Sequence, residues 1–546
     1  MLDIINAPQG FADAQTEMKA NHIVSRLWAH DHRIWRDDPT EITNRLGWLH
    51  LPETMPARVD EIRHFAAEIR DEFEDVLLLG MGGSSLAPET LSLAIKPSDS
   101  FPSLHVLDST HPDAIRDVEQ AIDLGKTLVL VATKSGTTTE TLSLFRYMWN
   151  RLADSVGSDT PRRFAAITDP GSPLVALAAS HGFRRVFENN PELGGRYSAL
   201  SHFGLVPASL VGVDVRAILR HAQTVARACT AEDRIEENPA ATLGALLGVS
   251  AGIGRDKVTL ILSDAIASLG DWIEQLIAES TGKEGRGILP IVGEPLVSPH
   301  EYGDDRLFVH VRLAGDGSQD DAVDSIAAAG HPVARIDISE PAALGGQFFL
   351  WEMATAIAGS ILQINPFDQP NVESSKALSR AMVEAYNESG RLPELPTDAP
   401  TPDLVRTFLV NASARSYVAL QAYVPPRAAT ARALSQLREA VRDASDGRAT
   451  TVGFGPRFLH STGQLHKGDA GLGLFIQLIA QPTEDLDIPD AAGSSDSSLS
   501  FGTLINAQAA GDRQALLNAK RPVLTLRLEA GREPEEIRSL ADRLIS

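Results

Sequence analysis

One cysteine in 546 residues, Cys229, excludes an internal disulfide, and basic residues are scarce beside acidic ones: 49 Lys and Arg against 72 Asp and Glu leave a formal charge of −23. So acidic a chain repels phosphate backbones and anionic lipid at long range, so neither a nucleic acid nor a membrane is expected as a partner. No apolar run reaches the roughly 20 residues that a membrane-spanning helix needs. The nearest, PAATLGALLGVSAGIG at 239–254, is short and glycine-containing and reads as a buried helix. The first ten residues, MLDIINAPQG, carry an early acid and no basic-then-apolar order. No secretory signal is expected there, and a cytoplasmic location follows. Metal-ligand spacing is missing too: HEYGDD at 300–305 has no regular pair of histidines and reads as a loop, so no metal is expected.

What is present is a rhythm. Hydrophobic residues make up 43% of the chain, enough for ordinary buried cores in two or three domains. VLLLG (76–80), SLHVLDS (103–109), TLVLVATKSG (127–136) and RRFAAITDP (162–170) read as four buried strands with helices between them. Continuous Val, Leu and Ile runs alternating with helices indicate a parallel sheet covered on both faces. KVTLILSD (257–264), RLFVHVRL (306–313) and PVARIDIS (332–339), followed by the helical QFFLWEMATAIAGSIL (347–362), suggest a second domain of the same class. The proline-rich RLPELPTDAPTPD marks a linker at 391–403. Beyond it SYVALQAYV (416–424), TTVGFGPRF (450–458), LGLFIQLIA (472–480) and RPVLTLRL (521–528) suggest a third strand set, and the acidic, serine-rich 484–500 a surface loop. The expected division is a helical arm over 1–60, domains over 61–230 and 231–390, the linker, and a C-terminal α/β lobe over 404–546.

Two turns carry chemistry. In GMGGSS (80–85), at the end of a strand, Gly80, Gly82 and Gly83 would let backbone approach a ligand, and Ser84 and Ser85 add hydroxyls where a helix begins. A ligand-free strand-to-helix turn is the plain alternative. TKSGTTTET (133–141) ends another strand and sets Thr133, Ser135, Thr137, Thr138 and Thr139 around Lys134. Threonines also serve as simple helix caps, but two such turns on neighbouring strands suit a sugar phosphate or nucleotide. A P-loop is excluded because TGKEGRG (281–287) puts Glu284 where its hydroxyl should stand. The dinucleotide pattern fails as well, since Ser85 occupies its last glycine position.

Five motifs in order, GMGGSSLAP (80–88), TKSGTTTET (133–141), GGRYSALSHFGL (194–205), ESTGK (279–283) and INPFDQPNVESSK (364–376), resemble the phosphoglucose isomerase family. AESTGKEGRGILP (278–290) and GPRFLHSTGQLHKG (455–468) are similar to the isomerase half of fused transaldolase–phosphoglucose isomerase proteins. Motifs beginning by residue 80 leave no room for a transaldolase barrel, so that activity is not expected. The resemblance implies an α/β fold of two doubly wound, parallel-sheet sugar-isomerase domains, a homodimer, no cofactor, and the interconversion of glucose 6-phosphate and fructose 6-phosphate.

Such an isomerisation moves a proton between C2 and C1 and must stabilise the enediolate formed meanwhile. By the same resemblance Glu279 is the base and Arg196 the stabilising cation. Gly83, Ser84, Thr133, Ser135 and Thr138 hold the phosphate, Lys134 adds positive potential, and Gln369 and Lys376 lie near the sugar ring. The plain readings are a helix cap or a Lys283 partner for Glu279, a structural ion pair for Arg196 and a solvated charge for Lys376. The sequence departs from the family in one place. A Gln-His pair that helps to open the sugar ring is expected upstream of FDQ, yet Phe348 follows Gln347. His466, with His460 as the alternative, is the candidate replacement from the C-terminal lobe. Two other functions compete: a sugar-phosphate-binding regulator without chemistry, and an isomerase that also accepts mannose 6-phosphate. Glu279, Arg196 and Lys376 together favour the enzyme, because binding phosphate requires none of them.

Overall fold

The apolar runs fold into three sheets of mainly parallel strands. The computed structural model describes residues 2–95, 100–410 and 412–545. The chain starts with β1 (Leu2–Ile5), which belongs to the second sheet. The first sheet holds β2 (Asp75–Gly80), β3 (Ser103–Leu107), β4 (Thr127–Ala132), β5 (Phe164–Thr168) and β6 (Arg185–Glu188), all parallel in the order β3-β2-β4-β5-β6. The chain steps outward from β2 to β3 and then returns past β2 to β4. Helices therefore leave β2 and β4 toward opposite faces, and a crevice opens beyond the carboxyl ends of these two strands. Both glycine-rich and threonine-rich turns begin there.

The second sheet repeats the pattern with β7 (Lys257–Leu262), β8 (Leu289–Val292), β9 (Arg306–Leu313) and β10 (Val333–Ile338), ordered β1-β10-β9-β7-β8. The third consists of β11 (Tyr417–Tyr423), β12 (Thr450–Phe454), β13 (Gly473–Ala480) and β16 (Val523–Leu528), ordered β12-β11-β13-β16. The chain is thus an α/β protein with two doubly wound parallel sheets, a largely helical N-terminal arm and an additional C-terminal α/β lobe. The glycine-containing segment Pro239–Gly252 is a helix buried against Leu344–Ile361, as its composition suggested. Among the described residues no helix is long and apolar enough to cross a membrane.

Four details depart from the sequence reading. The arm is not wholly helical: β1 pairs antiparallel with β10, from Leu2 opposite Ile336 to Ile5 opposite Val333. β1, β6 and β8 escaped notice because four-residue edge strands carry too little alternation to be read. The acidic 484–500 segment is more than a surface loop. It forms a ribbon of β14 (Asp487–Ile488) and β15 (Leu499–Ser500), with Ile488 buried in the first sheet's outer core. Asn150 donates to the Ser494 carbonyl and Arg146 to that of Asp490, pinning the ribbon on the helix Thr139–Val156. In the proline-rich 391–403 segment, Asp398 pairs with Leu526 along the edge of β16.

Candidate active site

The turn after β2 is shaped first by protein, not ligand. Gly82, at a φ of +53°, starts a short 3-10 turn that ends at Ser84, and a Cβ on Gly83 would stand 2.0 Å from the Gly195 carbonyl oxygen. The turn therefore accepts the GGR loop in direct backbone contact, and Ser198 Oγ donates to the Gly83 carbonyl across the join at 3.4 Å. That contact brings Arg196 to the crevice. Arg196 is 2% exposed. Its Nε donates to Ser280 Oγ at 2.7 Å, Nη1 to Gln369 Oε1 at 2.8 Å, and Nη2 to the carbonyls of Pro366 at 2.8 Å and Asp368 at 3.1 Å. So many acceptors leave the guanidinium one position, and in it Nη1 lies 3.2 Å from Glu279 Oε1.

Glu279 projects from the last turns of the helix Leu269–Thr281 and is 5% exposed. One turn earlier on the same face, Gln275 donates through Nε2 to Glu279 Oε2 at 3.1 Å and to the His460 carbonyl at 2.7 Å. His460 ends a 3-10 turn of the C-terminal lobe, Arg457–His460, and its Nε2 lies 3.1 Å from Glu140 Oε1. Gln508, also from the lobe, donates to the same carboxylate oxygen at 2.7 Å. Burial alone would raise the Glu140 carboxyl. Attraction to His460, a hydrogen bond from it and the charge of Lys376 together hold it below the usual carboxylate range.

The threonine-rich turn follows β4. Thr133 Oγ1 and Thr138 Oγ1 are 2.8 Å apart, Ser135 Oγ and Thr137 Oγ1 2.9 Å, and Ser135 faces solvent. Thr138 precedes the helix Thr139–Val156 without capping it through its side chain, so that helix offers its first N–H groups to an anion. Lys134 is half-buried and tied to Asp169 at 2.5 Å. A cavity of about 450 Å³ opens alongside, lined by Lys134, Gly194, Gly195, Asp368, Gln369 and Glu373 among others. Lys283 holds one wall, bonded at 2.6 Å to both the carbonyl and a carboxylate oxygen of Asp368. Burial brings its ammonium down to about 8.

The structure thus brings Glu279, Arg196, Gln369, Gly83, Ser84, Thr133, Lys134, Ser135 and Thr138 around one crevice. Lys376 sits at its rim, partly exposed and paired with Glu373 at 3.0 Å. His466 is the exception: the fold does not bring it to the crevice. It is 3% exposed inside the lobe, its ring 5.0 Å from that of Phe475 and its Nδ1 3.2 Å from Gln421 Nε2. Burial carries its basicity well below the ordinary histidine range. The lobe's short helix Gly463–Gly468 turns that side chain into the lobe, and His460 reaches the crevice in its place. Glu140, Gln275 and Gln508 were missed. Glu140 stands inside TTTET, and Gln275 lies four residues before Glu279, a spacing that shares a helix face. Gln508 carries no local signal.

A family model described as phosphoglucose isomerase matches residues 52–287. A glucose-6-phosphate isomerase of Rubrobacter xylanophilus is 30% identical over 426 residues, covering 67% of this chain and 94% of that protein. One from Carboxydothermus hydrogenoformans is 28% identical over 405 residues, covering 63% and 86%. Among solved structures, a hypothetical protein from Thermus thermophilus superposes with a TM-score of 0.61 at 28% identity, over 70% of this chain and 99% of that one. The glucose-6-phosphate isomerase of Chlamydia trachomatis shares the fold, with a TM-score of 0.59 at 19% identity over 69% of this chain and 86% of its own. With five ordered motifs gathered at one crevice and relatives matched over nearly their whole length, the chain belongs to the phosphoglucose isomerase family.

Proposed function

We propose that the protein interconverts glucose 6-phosphate and fructose 6-phosphate through an enediol, with all catalytic groups drawn from a single chain. The observation that carries this is the arrangement about Glu279, with a guanidinium on one oxygen and, on the other, an amide that also grips the His460 turn. In the reaction, the hydroxyls of Thr133, Ser135 and Thr138 with the free N–H groups of the following helix hold the phosphate, and Lys134 adds positive potential. His460, kept in place by Glu140, moves a proton between the ring oxygen and the anomeric hydroxyl, and Lys376 supports the opened ring. Glu279 then takes the C2 proton of the open chain. The electron pair left behind becomes the C1–C2 double bond, and the negative charge that reaches oxygen is met by Arg196, fixed beforehand and needing no reorganisation. Transfer of the O2 hydroxyl proton to O1, with return of the Glu279 proton to C1, then gives the ketose. A homodimer is not required to complete this site.

Segment 455–468 supports the closer kinship to the isomerase half of the fused proteins, and among the described residues no eight-stranded barrel accompanies it. The regulator reading leaves the Glu279–Arg196 pair without a purpose, and the relatives matched over most of their length are named as isomerases. The test is a coupled assay of fructose 6-phosphate formation. Glu279→Gln keeps the size and one accepting oxygen, gives up the other contact and removes the base, and should lower kcat by roughly two to four orders of magnitude while sugar-phosphate binding persists. Near-native turnover by this variant would overturn the assignment of Glu279. A wild-type protein that binds glucose 6-phosphate and never converts it would overturn the isomerase reading.

A further inference from the structure

Three residues before His460, in the same 3-10 turn, Arg457 reaches back into the body of the protein. Both its terminal nitrogens face Glu89, with Nη1 3.4 Å from Oε1 and Nη2 paired with Oε2, while Nε lies 3.4 Å from Asp108 Oδ2. The charge of Asp271 acts on it as well. These acids come from three separate places. Glu89 lies on the helix Leu86–Ala94, directly after the glycine turn, and Asp108 follows β3. Asp271 lies in the first turn of the helix that carries Glu279. Asp108 is buried and also accepts from Ser85 Oγ at 3.4 Å. Burial first, and the neighbouring Glu89 with it, push its carboxyl up to about 6 despite the attraction of Arg457. Without the guanidinium, carboxylates would face one another at the foot of the crevice, so the arginine side chain is the plug that makes their grouping tolerable.

The turn held by this plug has little room for error. Its last residue packs on the glycine turn so closely that a Cβ on Gly82 would stand 2.8 Å from the His460 carbonyl. The same carbonyl receives the Gln275 amide that also steadies Glu279. We propose that Arg457 is a positioning residue for the isomerisation, which seats the His460 turn of the C-terminal lobe in the crevice by locking into a carboxylate socket built on the glycine-turn helix, the β3 exit and the Glu279 helix. Arg457 touches no substrate atom. It acts through His460, so the proposal rests on the ring-opening role given to that residue above.

The experiment uses the full chain and two reactions. One is turnover of glucose 6-phosphate, which is almost wholly cyclic. The other is solvent exchange of the C2 proton of erythrose 4-phosphate, an aldose whose phosphorylated O4 prevents ring closure. If a loss of the plug displaces the turn by an ångström, R457A lowers kcat on glucose 6-phosphate by about 10²-fold. KM and the exchange reaction stay within severalfold of wild type, and guanidinium added below denaturing concentration restores turnover. R457K shows the same split in milder form and decides the matter if R457A does not fold. H460A has the same signature, and the double variant is no worse than H460A alone, because both substitutions break one step. H460A active on glucose 6-phosphate would overturn the ring-opening assignment, and the proposal with it. H460A defective with R457A normal would overturn Arg457 alone. Equal loss of both reactions in R457A and R457K, or no rescue, would make Arg457 a general support of the fold and refute the proposal.

Discussion

Replacing Gly83 by alanine tests whether the crevice is set by backbone contact. Gly83 has no left-handed backbone, so alanine brings no intrinsic strain; the cost lies in the partner loop. The new Cβ would stand 2.0 Å from the Gly195 oxygen, 2.3 Å from its carbon and 3.0 Å from Arg196 N, where real Cβ contacts essentially never fall below 3.0 Å. The GGR loop must therefore retreat by at least the difference of 3.0 and 2.0 Å, which is 1.0 Å. Arg196 cannot absorb that movement, since its guanidinium is tied to Ser280, Gln369 and the carbonyls of Pro366 and Asp368. Either those bonds lengthen or the glycine turn tips away from the crevice. Misplacement by about 1 Å costs on the order of 10²-fold in rate, and the forced contact costs about 1–3 kcal/mol of stability. Coupled-assay kcat and thermal melting of G83A read both. Gly195→Ala is the control for folding, because a Cβ there meets nothing within 4 Å, and its melting temperature should match wild type. A G83A protein with native kcat and melting temperature, or a G195A protein as unstable as G83A, would refute the reasoning.

The phosphate cradle should respond in KM: T133A/S135A removes two hydroxyl donors to an anionic oxygen, each worth about 1.5–3 kcal/mol, and should raise KM for glucose 6-phosphate at least 10-fold. Inorganic phosphate should weaken as a competitor in step; unchanged competition would place the phosphate elsewhere. His466→Gln should lower stability by about 1–3 kcal/mol and leave kcat at the wild-type value, as urea unfolding and the coupled assay would show. Its pH dependence has a definite sign. The buried ring stays neutral in the folded protein while the unfolded chain takes up a proton below about pH 6.5, so the wild type loses stability as pH falls from 7 toward 5. H466Q lacks that loss, and the gap between the two proteins should narrow on acidification; a constant gap would mean that the ring titrates normally.

Much of this architecture was legible along the chain because its strands are continuous apolar runs. VLLL in β2 and LVLVA in β4 are buried from both faces, and such runs bounded by glycine or proline need no tertiary information to be recognised. The third strand set beyond residue 403 was read from the same signal, and all four of its runs became strands of one sheet. The glycine-rich and threonine-rich turns were legible because their chemistry is local: hydroxyls and glycines crowd into a few residues at strand ends. The positions of Glu279 and Arg196 came from motif order, and their pairing across 83 residues of chain came only from the fold.

The histidine shows where sequence stops. His460 and His466 lie six residues apart in one segment of the lobe, with similar neighbours and no periodic pattern to separate them. Their fates differ because the chain passes from a 3-10 turn into a short helix between them, and because the lobe docks with that turn against Gly82, Gln275 and Glu140. Docking of one sheet domain on another is a long-range choice, settled by the sum of contacts such as Arg457 with Glu89 and Gln508 with Glu140, in which partners stand 368 positions apart. Local composition and spacing decided what each strand, helix and turn would be; which side chains meet in the crevice was decided by tertiary packing alone, because burial and hydrogen bonding between distant segments leave no periodic trace in the order of residues.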